Sequence, residues 1–77
     1  MYHSKQKLVN LGCGRVYHKE WLNFDIQPVD HTIYRCDVTQ NLPFTSNSVN
    51  AIYSSHVLEH LSRYEAICFL KECKRVL

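Results

Sequence analysis

Gly12 and Gly14 are the only glycines in the chain, and they flank Cys13 directly after the apolar run Leu8-Val9-Asn10-Leu11. Such a run reads as a buried strand, and glycines at its end let bare backbone turn sharply and approach a ligand closely. Because glycine carries an entropic cost wherever it stands, placing both here points to a ligand loop over a plain turn. Two acids follow. Asp25 comes at the end of the alternating stretch Trp21 to Ile26, and Asp37 follows the β-branched and aromatic stretch Thr32 to Cys36. A carboxylate at the first position can accept both hydrogen bonds of a ribose diol. One at the second can accept from an exocyclic amine, and either acid could instead cap a turn. His56 is the candidate general base, since imidazole titrates near neutrality, and its competing reading is a packing or solvated group.

Two further patterns bear on metal and cofactor chemistry. His56-Val57-Leu58-Glu59-His60 spells His-x-x-Glu-His, which on a helix sets two histidines on one face for zinc. The stretch offers no third ligand from a distal helix, so no metal is expected and a zinc hydrolase is the remote alternative. Cys13, Cys36, Cys68 and Cys73 form no Cys-x-x-Cys pair. They read as buried free thiols rather than as a zinc ribbon, redox pair or disulfide framework. A dinucleotide fingerprint wants a third small residue three positions after Gly14, and that position is Tyr17.

The elements that must position these residues follow from periodicity. Lys7 to Leu11 reads as the first strand and Trp21 to Ile26 as the second, stopped by Pro28, which cannot donate to a ladder. Between them, Gly12 to Glu20 leaves room for two helical turns at most. Thr32 to Cys36 reads as the third strand, Thr39 to Ser48 as a turn-rich piece and Val49 to Ser54 as the fourth strand. The link from Ile26 to His31 is too short for a helical crossover, so only an extended return keeps the second and third strands parallel. A short helical piece is expected over His56 to Leu61 with Ser55 as N-cap. A capping box, Ser62 with Glu65, then opens a longer helix. Ala66, Phe69, Leu70, Cys73, Val76 and Leu77 share its apolar face, and Glu65, Lys71, Glu72, Lys74 and Arg75 are expected to face water.

The fold class is therefore α/β: a Rossmann-like, open, mostly parallel sheet of about four strands plus C-terminal helices. In such a sheet ligands lie across the carboxyl ends of the strands, where Gly12 to Gly14, Asp25, Asp37 and Ser54 to His56 should converge. At 77 residues the chain is at most one small domain, able to hide only about 60% of the surface its unfolded form exposes. Its 45% hydrophobic and 21% charged residues are globular in balance, and a net charge of +2 without a basic block gives no sign of a nucleic-acid partner. No apolar run approaches the roughly 18 residues that span a bilayer, and Met1 to Lys7 lacks the apolar core of a signal peptide. The expected setting is cytoplasmic.

Six motifs in order carry a resemblance: Val9-Asn10-Leu11-Gly12-Cys13-Gly14, Asn23-Phe24-Asp25-Ile26, Cys36-Asp37-Val38, Leu42-Pro43-Phe44, Ser48-Val49-Asn50-Ala51-Ile52 and Ser54-Ser55-His56-Val57-Leu58-Glu59-His60-Leu61. With the closing Phe69 to Leu77, this series resembles the class I S-adenosylmethionine-dependent methyltransferases, of the type 11-like kind. The resemblance implies that Asn10, Gly12, Cys13 and Gly14 lie along the methionine and ribose part of S-adenosylmethionine. It also implies that Asp25 with Ile26 holds the ribose, that Asp37 with Val38 meets the adenine, and that Ser54 to His56 faces the methyl-transfer site.

Three departures stand out. Asn10 occupies the place where the family often has an acid, and Gly14 and Asp25 are 11 positions apart where dinucleotide folds use about 20. The first crossover helix must then be a stub. The family also continues past the equivalent of Leu77, so residues 1–77 are expected to be a partial domain, the cofactor-binding half. The alternative is a non-catalytic binding or assembly module, self-associating through an unpaired edge at the fourth strand or an apolar helix face.

Overall fold

The computed structural model describes residues 6–77, so Met1 to Lys5, part of the stretch without a signal-peptide core, lies outside it. Four strands, β1 (Leu8–Leu11), β2 (Leu22–Asp25), β3 (Tyr34–Arg35) and β4 (Ala51–Ser54), pair in the order β3-β2-β1-β4 with every pairing parallel. A single 3₁₀ turn, Leu58–His60, and one α-helix, α1 (Arg63–Val76), follow.

The strands are shorter than the sequence pattern suggests, β3 most of all. Asp30 accepts from both the backbone N–H and the hydroxyl of Thr32, at 2.8 and 2.7 Å, and this local turn competes with an extended Thr32. The return from β2 to β3 is a succession of bends and a turn rather than the extended stretch expected, and it still delivers a parallel strand without a helix. No helical turn forms between β1 and β2 either.

Register sorts the strand residues into two faces. Val9, Leu22 and Ile52 lie side by side, as do Leu11, Phe24 and Ser54. The apolar members of these rows join Leu42, Val49, Val57, Phe69 and Val76 in one core cluster. Asn10 pairs with Asn23 on one side and Tyr53 on the other, and this row points to the opposite face, where no helix lies.

The capping box forms as the sequence dictates: Glu65 N–H donates to Ser62 Oγ and Ser62 N–H to Glu65 Oε1. At the other end of α1, the carbonyls of Arg75 and Val76, orphaned by helix geometry, accept from Asn47, Ser48 and Val49. Two expectations fail on α1. Leu70 and Leu77 are about half exposed, because α1 packs through Phe69 and Val76 and turns those leucines past the edge of β4. Glu72 and Arg75 do not face open water. Glu72 accepts from Leu42 N–H at 2.7 Å and from Arg75 Nε at 2.7 Å, while Arg75 also reaches Leu42 O at 3.2 Å. The pair latches the 39–48 segment to the helix.

Candidate functional site

The carboxyl ends of β1, β2 and β4, with the residues following β3, surround a cavity of about 600 Å³. Gly12, Cys13 and Gly14 enter it from β1, Asp25 and Ile26 from β2, Asp37 and Val38 from beyond β3, and His56 from beyond β4. Asn10 lines it from within β1. Ser54 does not take part; it lies on a separate cavity of about 380 Å³ between β4 and α1, and Ser55 stands in the main cavity instead.

The two glycines do different work. Both have left-handed backbone, φ 70° at Gly12 and 56° at Gly14. A Cβ on Gly12 would collide with Val57 Cγ2, so its bareness lets the end of β1 pack against the segment after β4. Nothing lies within 4 Å of a Cβ built on Gly14, so that position offers open backbone. The loop is tied to β2 at three points: Gly12 and Cys13 N–H share Phe24 O at 2.9 and 3.0 Å, and Gly14 N–H donates to Asp25 Oδ2 at 2.9 Å. Asp25 Oδ1 accepts from Gln27 N–H at 2.9 Å. Each oxygen keeps a second lone pair for a ligand. Burial, reinforced by the charge of Asp25, pushes the Cys13 thiol upward from its ordinary range.

Asp37 caps a turn and lines the cavity at once. Its Oδ1 accepts from the hydroxyl and backbone N–H of Thr39, and these two bonds, the hydroxyl first, hold its carboxyl below the usual range.

His56 has φ 59°, a conformation outside any helix, so Ser55 caps nothing and the 3₁₀ turn begins after Val57 without a side-chain cap. Its Nδ1 lies 3.0 Å from Glu59 Oε2. The backbone N–H of Glu59 and then the imidazole of His56 lower that carboxyl's pKa. The left-handed kink also breaks the helical spacing that a zinc pair at His56 and His60 needs. Among the described residues no group of three or more His, Cys, Asp or Glu could hold a metal ion.

Beyond the cofactor-site residues named from sequence, Arg15, Tyr53 and His60, the last named there only for zinc, also line the main cavity. On the helix-free face it adjoins a second cavity of about 370 Å³, walled by His18 and Trp21 and sharing Asn10, Val16 and Tyr53 with it. Asn10, common to both, is bonded to the buried Asn23 of β2. Asn10 Nδ2 donates to Asn23 Oδ1 at 3.1 Å and to Val16 O at 3.0 Å, and Asn23 Nδ2 donates to His18 O and Trp21 O. Both asparagines are buried, and Asn10 Oδ1 has no partner. Their equivalent places in two apolar strands were the available signal, but only parallel register brings them together.

A family model described as a methyltransferase domain matches residues 9–77. No curated protein and no solved structure gives a significant match to the chain.

Proposed function

The chain belongs to the methyltransferase-domain family, and from that membership we propose that it binds S-adenosylmethionine and carries the cofactor-binding half of a methyltransferase. The observation that carries the proposal is that one cavity receives the glycine loop, Asp25 and Asp37 from three adjacent strands. Two features fit this cofactor. Gly14 presents open, left-handed backbone, and Asn10 Oδ1 is a buried acceptor without a partner, suited to an ammonium donor.

In this reading Gly12, Cys13 and Gly14 run under the methionine and ribose, with Asn10 toward the amino-acid end. Asp25 accepts from the ribose hydroxyls beside Ile26, and Asp37 with Val38 borders the adenine. The bound cofactor supplies a sulfonium-activated methyl group. The chain's own task is to position it, since holding reactants in line removes much of the entropic barrier. Glu59 takes the Nδ1 side of the His56 ring, which leaves Nε2 to receive a proton from an acceptor. Four free cysteines support a reducing, cytoplasmic setting, and no helix among the described residues is long and apolar enough to cross a membrane. The outer edge of β4 and the exposed Leu70 and Leu77 support self-association as the alternative role.

Calorimetric titration with S-adenosylmethionine tests the proposal. Asp25→Ala removes charge-assisted acceptors and the tie to Gly14, so affinity should fall by about ten- to a hundred-fold. Equal affinity of the variant and the parent chain would remove Asp25 from the site, and no binding by the parent chain would overturn the reading.

A further inference from the structure

Two cavities meet at Asn10, and only the nitrogen end of its amide is satisfied. Asn10 Nδ2 donates to Asn23 Oδ1 of β2 and to Val16 O. A backbone carbonyl can only accept, so these bonds fix which end of the amide is nitrogen. They also hold that end on the β2 side. Because β1 lies between β2 and β4, the oxygen corner of the same amide faces the β4 side, where Tyr53 stands beside Asn10 in register. Adjacent strands run about 4.8 Å apart, so the tyrosine borders the space in front of that oxygen. The smaller cavity, of about 370 Å³, opens there. Trp21 and Tyr53 are its aromatic side chains, and Lys19 and Glu20 give its lining one carboxylate and one ammonium. Among the described residues neither Lys19 nor Glu20 makes an ion pair. Asn10, Val16 and Tyr53 line the main cavity as well, so one ligand can extend across them from the first cavity into the second.

The cofactor reading, on which this inference rests, brings the amino-acid end toward Asn10 and gives the second cavity no role. We infer that the amino-acid end of S-adenosylmethionine passes over Asn10 into the second cavity and seats its ammonium there, on Asn10 Oδ1 and against the ring of Tyr53, with Trp21 in the same wall. A buried acceptor without a partner is costly until a donor meets it. An ammonium brings a charged donor, and the face of a tyrosine or tryptophan ring attracts it further. A lining that carries one charge of each sign suits a zwitterionic amino-acid end. Tyr53 is thereby a cofactor-binding residue that selects for the amine, and the part of the main cavity around Ser55, His56 and Leu61 is left for the methyl acceptor.

The test compares three adenosyl compounds by calorimetry and by the emission of Trp21, the only tryptophan of the chain. They are S-adenosylhomocysteine, its desamino analogue, in which hydrogen replaces the amine, and 5′-methylthioadenosine, which lacks the amino-acid end. S-adenosylhomocysteine should bind and change the emission saturably. The desamino analogue should bind about ten- to a hundred-fold more weakly, the size of a charge-assisted hydrogen bond. Bound 5′-methylthioadenosine should leave the emission unchanged. Tyr53→Leu, at a position about half exposed, keeps an apolar side chain and removes the ring face. It should weaken S-adenosylhomocysteine by about two- to five-fold and leave 5′-methylthioadenosine binding as in the parent chain. Equal affinity for the desamino analogue, no response of Trp21 to bound S-adenosylhomocysteine, or an equal loss of both ligands in Tyr53→Leu overturns the inference while the cofactor reading stands. If none of the three compounds binds, the cofactor reading falls and the inference falls with it.

Discussion

The two faces of this sheet are built from alternate residues of the same strands, yet they have opposite chemistry. Val9, Leu11 and Phe24 leave one side and join Phe69 and Val76 of α1 in the core, all five buried. Asn10, Asn23 and Tyr53 leave the other side, where the 15–21 connection stands in place of a helix. The covered face acts through area removed from water, which is non-directional. The open face acts through hydrogen bonds, which are directional: Asn23 alone holds His18 N–H, His18 O and Trp21 O, so it sets the path of the connection that borders the cavities. Stability should reside mainly in the first face, and the shape of the site in the second.

The largest effect that separates them is a truncation under α1. Phe69 is 2% exposed and sits in the core cluster, so Phe69→Ala should cost about 3–5 kcal/mol. A domain this small has a total margin of only about 4–12 kcal/mol, so the variant should be largely unfolded or close to it by urea titration with circular dichroism. A loss below about 1 kcal/mol would mean that α1 is not what holds the sheet.

On the open face the matching change is Asn23→Ala. It leaves Asn10 Nδ2 short of one partner and His18 N–H, His18 O and Trp21 O without theirs, at a cost of about 2–3 kcal/mol. The sharper readout is Trp21, the only tryptophan of the chain. Its emission should move to longer wavelength in the folded variant as the connection loosens, whereas a folded variant with unchanged emission would show that the network does not set the loop.

Part of the covered face was legible in the sequence, because alternation in Trp21 to Ile26 marks Leu22 and Phe24 and helical spacing marks Phe69 and Val76, whereas Ile26, Leu70 and Leu77 of the same patterns stand about half exposed. The strand ends were legible for the same reason: in a parallel sheet, chemistry placed after successive strands must meet at one edge. What escaped depends on partners far apart in the chain. The Asn10 to Asn23 bond needs the register of β1 on β2. The contact of Gly12 with Val57 needs the return from β4, so a glycine that reads as a ligand contact is half a packing requirement. Helical periodicity turns Glu72 toward water because it cannot see Leu42, 30 positions away. The kink at His56 hides in an ordinary helix-compatible string and shows only as a left-handed φ.

The smallest expected effect concerns the rim of the covered face, where Glu72 and Arg75 fasten Leu42, itself a core residue. The hydrogen bond from Arg75, and then the one from Leu42 N–H, holds the Glu72 carboxyl below its ordinary value. A depressed folded-state pKa means that the unfolded chain takes up the proton first. The stabilisation is therefore complete above the unfolded value of about 4.3 and is lost as pH falls through the lower folded value. Glu72→Gln should cost about 1 kcal/mol near neutrality, a modest figure because Arg75 keeps 35% of its side-chain surface in water and solvent screens the pair. The gap between parent and variant should then close in acid. A gap that stays constant from neutral pH to below pH 4 would show that the glutamate acts through shape rather than charge. The latch would then belong with the packing of the covered face and not with the directional bonding that marks the other.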